Sequence, residues 1–272
     1  MRLGISTWSV PWSIGVRGYP QPSQPLDAVN LLEKAVLSDV SVVQIADNLP
    51  LDQMPDGELD RIRDTALSQG IAVEVGTRGI EPDHLRRYIA LAQRLRARVL
   101  RTVLGGRMCG EDEMRAVEDG IRGVLGDLGR CRVRLALENN EAFSTAEFAG
   151  LIKRIGSPLV GICLDTANSL GRPELLEAVV ENLAAHVIIV HAKDYDIQRV
   201  DTRMGFSIVG RPAGEGKVDF DHVFGVLREK GREDVSVIVE HWPPFERDIT
   251  TTMQIEEEWL DKSLRYLRER VR

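Results

Sequence analysis

The chain is poor in the features that would assign it to a specialised class. Cysteine is scarce: Cys109, Cys131 and Cys163 make an odd set with no CxxC spacing. That is too little for a disulfide framework or a thiolate zinc cluster, so the expectation is free thiols, at least partly buried, in a reducing compartment. Positive charge is short as well. Lys and Arg number 35 against 42 Asp and Glu, a formal net charge of −7. This removes the basic footprint of a nucleic-acid partner and mainly favours solubility. No apolar run approaches a membrane span. Met1 to Ser6 read directly as a strand, with neither an apolar leader nor a cleavage site, so the expectation is a cytoplasmic protein with no membrane partner. Low-complexity linkers are missing too, which argues for one domain over residues 1–272.

What is present is a repeated strand-then-helix unit. Strands are predicted near residues 2–6, 42–46, 71–76, 99–103, 133–138, 161–165, 187–191 and 236–240. Helical spacing follows each one: Val29, Leu32 and Val36; Leu59, Ile62 and Ala66, closed by Gly70; Leu85, Ile89, Ala92 and Leu95; and one helix from Met114 to Leu128. Ser144-Thr145-Ala146-Glu147 fits a capping box, with Phe148 and Ile152 behind it. Leu175 to Leu183, Val223 with Leu227, and Ile255 to Val271 supply the remaining helices. A stretch of about 26 residues after His191 is too long for a plain connector and is a candidate substrate loop. Eight such units in 272 residues predict an α/β fold, a single (β/α)8 TIM barrel. An open doubly wound sheet would be favoured by a Gly-rich turn after the first strand, but Ser6-Thr7-Trp8-Ser9 stands there.

The organising stretch is Val133-Arg134-Leu135-Ala136-Leu137-Glu138. Side chains alternate along a strand, so Leu135 and Leu137 share one face while Ala136 and Glu138 share the other. Three later strands repeat the design, ending on Asp165, His191 and Glu240. The catalytic face of a barrel is the C-terminal end of its strands. The phase of each strand then gives an inward set of Ser6, Gln44, Glu74, Arg101, Glu138, Asp165, His191 and Glu240. A ring of buried polar groups is costly unless its members pair with one another or bind a metal. Three carboxylates and one imidazole suit one divalent ion of harder character, with Mn²⁺ favoured and Mg²⁺, Co²⁺ or Zn²⁺ as the other candidates. The competing reading is a salt-bridge cluster built on Arg101 and Lys193.

These pieces resemble the xylose isomerase-like TIM barrel superfamily, the sugar isomerases and epimerases related to endonuclease IV. The matching segments are Leu135-Ala136-Leu137-Glu138-Asn139, Gly161 to Asn168, Val190-His191-Ala192-Lys193-Asp194, Gly214 to Asp219 and Ile238-Val239-Glu240. The first half matches mainly in architecture. The resemblance implies a metal held by Glu138, Asp165, His191 and Glu240, with Glu138 and Glu240 as an acid/base pair on opposite faces of a sugar-like substrate. The expected activity is therefore isomerisation or epimerisation of a small polyhydroxy carbonyl compound through an enediolate. The alternative is a lyase or dehydratase acting on a keto-cyclitol or dehydroshikimate-like compound at the same site. A non-enzymatic sugar-binding barrel is a third class. The same resemblance carries an expectation of self-association into a homo-oligomer.

Two positions depart from the epimerase pattern. Asn168 stands where those enzymes often carry a histidine, and Ile197 where they often carry an arginine; Arg199, Arg203 and Arg211 lie in the same loop. Endonuclease IV is disfavoured, because its three-metal cluster needs many histidines and this chain has five. Glu74, Arg101, Asn168, Lys193 and Trp8 are candidate substrate contacts. Glu74 with Arg101, at the ends of adjacent strands, could equally form a structural ion pair. Trp8, Trp12 and Trp242 could form aromatic walls or pack under loops. Asn139 and Asn140 are either anchors or turn residues, His241 should point away from the site, and the Gly105-Gly106 pair is too isolated to read as a phosphate cradle.

Overall fold

A computed structural model describes residues 1–104 and 110–272. Cys109 and the Gly105-Gly106 pair lie outside the described residues. Eight parallel strands close into a barrel: β1 Arg2–Ser6, β2 Val42–Ile45, β3 Ala72–Arg78, β4 Val99–Val103, β5 Arg134–Glu138, β6 Val160–Asp165, β7 Val187–Ala192 and, last in the chain, β10 Ser236–Val239. Each strand pairs with its sequence neighbour in the barrel, and β10 closes the ring onto β1, with Ile5 opposite Val239. This is the single TIM barrel expected from the sequence.

Two apolar layers follow from the alternation. Outward residues such as Leu135, Leu137, Ile162 and Leu164 join the helices in one continuous core. Inward residues Val42, Val99, Ala136, Cys163, Ile188, Ile189 and Ile238 form a separate plug inside the barrel. The plug is crowded. A Cβ on Gly161 would lie 2.5 Å from the His186 carbonyl oxygen and 2.7 Å from Ile188 Cδ1. The small residues that precede the charged strand ends therefore make room for larger neighbours beneath the site.

The helices are set by local signals. Ser144 and Glu147 exchange the capping-box hydrogen bonds that open α7, Thr145–Ile155. Gly70 takes a left-handed φ of 68° and ends α3, Asp56–Gln69. Three expectations are corrected. The helix foreseen from Met114 to Leu128 is two, α5 Glu111–Arg122 and α6 Leu125–Cys131, parted at Gly123 and Val124. Glycine is frequent there (Gly120, Gly123, Gly126, Gly129), and it weakens helix continuity. The buried face of α2, Ala28–Leu37, runs through Ala28, Leu31, Leu32 and Ala35, leaving Val36 exposed. Small alanines here take the close approach to the barrel. Finally, the long loop after His191 is a β-hairpin, β8 Asp194–Arg199 against β9 Phe206–Arg211, with Ile197 opposite Ile208. Its return is fixed by Asp194, whose carboxylate accepts from the backbone N–H groups of Gly214 and Gly216 at 2.9 Å and of Val218 at 3.0 Å. Among the described residues no helix is long and apolar enough to cross a membrane.

Candidate active site

All eight residues of the expected inward ring are buried, each no more than 3% exposed. Glu138, Asp165, His191 and Glu240 converge at the C-terminal end of the barrel. His191 Nδ1 lies 3.3 Å from Glu138 Oε2, 3.4 Å from Glu240 Oε1 and 3.9 Å from Asp165 Oδ2. That nitrogen is buried and has no hydrogen-bond partner among the described residues. An unpartnered imidazole nitrogen facing three carboxylate oxygens is the arrangement a divalent cation satisfies, so the residues present fit a metal. Cys163 points to the same side of β6 as Asp165, and Glu138, Cys163 and His191 together form a second group able to hold a metal. The sequence reading offered no thiolate here. Burial pushes the Cys163 thiol well up.

The carboxylates are held by different partners. Glu138 receives Arg101 Nε on one oxygen and Asn168 Nδ2 at 2.7 Å on the other. Burial opposes its charge, but Arg101 and His191 outweigh it and hold the carboxyl well below the usual range. Asp165 Oδ1 accepts from the backbone of Ala167 at 2.9 Å and Asn168 at 2.8 Å. Lys193 Nζ sits 2.7 Å from Asp165 Oδ2 and 3.1 Å from Glu240 Oε2. Burial pushes Asp165 up against the pull of Lys193. For Lys193 itself burial is overcome by Asp165 and Glu240, which keep the ammonium protonated. Ser6 Oγ donates to Glu240 Oε1 at 3.2 Å. The salt-bridge cluster considered from the sequence is thus present, and it coexists with the unpartnered histidine nitrogen.

A cavity of about 600 Å³ opens above this floor. Four of the candidate contacts, Arg101, Asn168, Lys193 and Trp8, line it together with Glu138 and Glu240. Its walls are apolar at Val103, Leu104, Leu170, Ile208 and Trp242. Glu74, Trp12, Arg199 and Arg211 are placed elsewhere. Glu74 is not at a strand end: β3 continues to Arg78, and Glu74 sits below the cavity, bonded to Gln44 and Ser236 rather than paired with Arg101. Trp12 packs its ring 5.0 Å from Tyr19 and donates its indole N–H to the Pro243 carbonyl, away from the cavity. From the hairpin, Ile208 lines the cavity, while Arg199 stacks on Phe206 and Arg211 faces Asp196.

Asn139 is an anchor. Its side chain accepts from the Asp165 N–H at 2.7 Å and donates to the Asp165 carbonyl at 3.0 Å, locking β5 to β6 beneath two of the carboxylates. His241 packs edge-on to Trp259 and is also among the residues lining the cavity, its burial lowering its pKa to about 4. Sequence reasoning missed Asp47. This residue follows β2 and accepts from Trp8 Nε1 at 3.3 Å, Arg101 Nη1 at 2.9 Å and Arg78 Nε at 3.3 Å, joining three cavity-lining side chains. An acid immediately past a predicted strand end was the available signal.

A closed barrel with a carboxylate–imidazole cluster at the C-terminal strand ends has the layout of a TIM-barrel enzyme, whose active site lies at that face. The chain belongs to the xylose isomerase-like TIM barrel family, whose model matches residues 77–270. It is 32% identical over 269 residues to a 3-oxo-isoapionate decarboxylase of Pectobacterium atrosepticum, covering 98% of this chain and 95% of that protein. In fold it resembles the D-psicose 3-epimerase of Clostridium cellulolyticum, with a TM-score of 0.74, 14% identity, and coverage of 100% of this chain and 99% of the other. It also resembles a probable 3-DHS dehydratase of Bacillus anthracis, with a TM-score of 0.70, 14% identity, and coverage of 98% and 99%.

Proposed function

We propose that this protein is a divalent-metal-dependent lyase that decarboxylates a small polyhydroxylated 3-oxo acid. One observation carries the choice of lyase over epimerase: the relative matched along nearly its whole length is a decarboxylase. The isomerase or epimerase expected from the sequence shares the enolate chemistry and differs in how protons move.

Glu138, Asp165, His191 and Glu240 would hold the ion, with Mn²⁺ favoured by the oxygen-rich set. When bound, it would supply Lewis acidity toward a ketone oxygen and its neighbouring hydroxyl. The reaction breaks the bond between the carboxyl carbon and C2. The electron pair passes toward the ketone oxygen, CO2 leaves, and C2 then takes up one proton. Asn168 and Arg101 offer donors that orient substrate oxygens on the cavity floor. The apolar wall of Val103, Leu104, Leu170 and Trp242 offers the scissile carboxylate poor solvation, which favours its departure as neutral CO2.

The two glutamates are suited to unequal work. An epimerase must remove a proton on one face and return one on the other. Glu138, held as the anion by Arg101, is a weak proton donor. Glu240 stands beside the proton-bearing Lys193. A decarboxylase needs one returned proton, and the Lys193–Glu240 pair supplies it. The test is product analysis of the Mn²⁺-loaded protein with a polyhydroxylated 3-oxo acid. Release of one CO2 per substrate consumed is expected. A product of unchanged mass would overturn the lyase in favour of the isomerase, and loss of water would point to a dehydratase.

A further inference from the structure

The metal reading gives His191 a requirement that the four ligands cannot meet themselves. Its Nδ1 must present a lone pair to the centre of the cluster, so the ring proton must sit on Nε2. His191 Nε2 lies 2.9 Å from Gln44 Oε1. A glutamine amide could face the ring either way: its oxygen would accept from Nε2–H, or its NH2 would donate to a bare Nε2 and force the proton onto Nδ1. The choice lies one step further out. Gln44 Nε2 donates to Glu74 Oε2 at 3.2 Å. Both Glu74 oxygens accept, one from Gln44 Nε2 and one from Ser236 Oγ, even though burial pulls the carboxyl toward its protonated form; a carboxyl held as a double acceptor keeps the amide NH2 toward itself and turns the amide oxygen toward His191.

The chain of contacts crosses the barrel interior. Gln44 and Glu74 are direct register partners on β2 and β3. Ser236 is on β10 and His191 on β7. All four residues are buried, and Gln44 and His191 are fully so, leaving no room for water to substitute freely.

We infer that Glu74, through Gln44, is a positioning residue that selects the Nδ1-ligating tautomer of His191. Glu74 thus serves the metal centre from below and does not touch substrate. This rests on the metal site of the proposed function but not on the reaction assigned to it. It also explains why an acid occupies the barrel interior facing no cation within ion-pair distance among the described residues.

The test compares wild type with Glu74→Gln, which keeps the shape but can present an NH2 to Gln44, and with Ser236→Ala, a milder change that retains the carboxylate. Mn²⁺ titration by calorimetry needs no substrate. Glu74→Gln should weaken Mn²⁺ binding by roughly ten- to a hundredfold, and Ser236→Ala by a few-fold at most. Side-chain ¹⁵N spectra of the metal-free proteins at alkaline pH, where the imidazole is neutral, should show the Nε2–H tautomer of His191 in wild type and a mixture in Glu74→Gln, a signature that loss of packing alone would not give. Wild-type affinity and an unchanged tautomer in Glu74→Gln would overturn the relay while leaving the metal site standing. Failure of wild type to bind Mn²⁺ would overturn the site and the relay together. Lysis of a 3-oxo acid plays no part in either reading, so failure of the decarboxylase assignment registers separately.

Discussion

Glu138 and Glu256 are both glutamates buried to 1% exposure or less, yet they are held in opposite ways. Glu138 stands among Arg101, Asn168 and His191, and those partners overcome burial to keep it ionised. Glu256, on α10 (Ile249–Arg268), accepts from the backbone N–H groups of Trp12 at 2.6 Å and Ser13 at 3.0 Å and from the Ser13 hydroxyl at 2.6 Å. Lys34 lends it only a weaker attraction while bonded to Glu257. Burial therefore wins, and its pKa rises to about 7. One carboxylate is embedded in a charged cluster with room for another cation. The other is a neutralisable cap that seats the first short helix, α1 Pro11–Ile14, on the last. Buried acid alone does not mark an active site; its counter-charges and an unpartnered neighbour such as His191 Nδ1 do.

The sharpest way to break this contrast is to remove one ligand. Asp165→Asn should leave the protein without its metal and lower turnover by a thousandfold or more, on the order expected when charge stabilisation by an ion is lost. Metal analysis after purification without chelator checks it; an ion retained at wild-type content would place the metal elsewhere. Glu240→Gln should cut turnover by roughly a hundredfold or more while much of the metal remains, because it removes half of the proton-returning pair. Single-turnover kinetics at saturating Mn²⁺ would measure this, and turnover at the wild-type rate would end the acid/base role.

The remaining predictions are smaller. Glu256 binds its proton more tightly folded than unfolded, so its stabilisation is full below pH 4.5 and is lost as pH rises through about 7. That window amounts to about 3 kcal/mol. Urea unfolding across pH 4.5 to 8 should show Glu256→Gln escaping this loss; parallel pH profiles for variant and wild type would contradict it. His191 is the reverse case in function. Burial lowers its proton affinity, but Glu240 and Glu138 outweigh it and raise the pKa above 6.5. Below that raised value a proton competes with the metal, so Mn²⁺ affinity should climb with pH by up to about tenfold per unit and then level off. An affinity flat from pH 5.5 to 8 would show that His191 carries no competing proton. Trp8→Phe, which removes one contact to Asp47, should change KM by only a few-fold.

How much of this was legible depends on the range of the interaction. Strand alternation is local, so Glu138, Asp165, His191 and Glu240 could be placed on one rim from the spacing of Leu135, Leu137 and their counterparts. The barrel followed from repetition of one unit. Glu74 was misplaced because a strand's end depends on pairing: β3 runs on while Gly76 faces Arg101 on β4. The hairpin after His191 was hidden because its residues alternate only weakly and pair with each other rather than with the barrel. Asp47 was missed because its role exists only once Trp8, Arg78 and Arg101 converge from three strand ends. Trp12 looked like a wall for the same reason: its partners Tyr19 and Phe245 are far apart in sequence.

The most direct test of the central claim is a crystal of the protein grown with Mn²⁺ and measured at the manganese absorption edge. The account predicts a single anomalous peak at the C-terminal mouth of the barrel, bonded to His191 Nδ1 and to oxygens of Glu138, Asp165 and Glu240. A map with no peak there, and Lys193 still bridging Asp165 and Glu240, would show that the polar ring neutralises itself and that the chemistry proposed here has no metal to stand on.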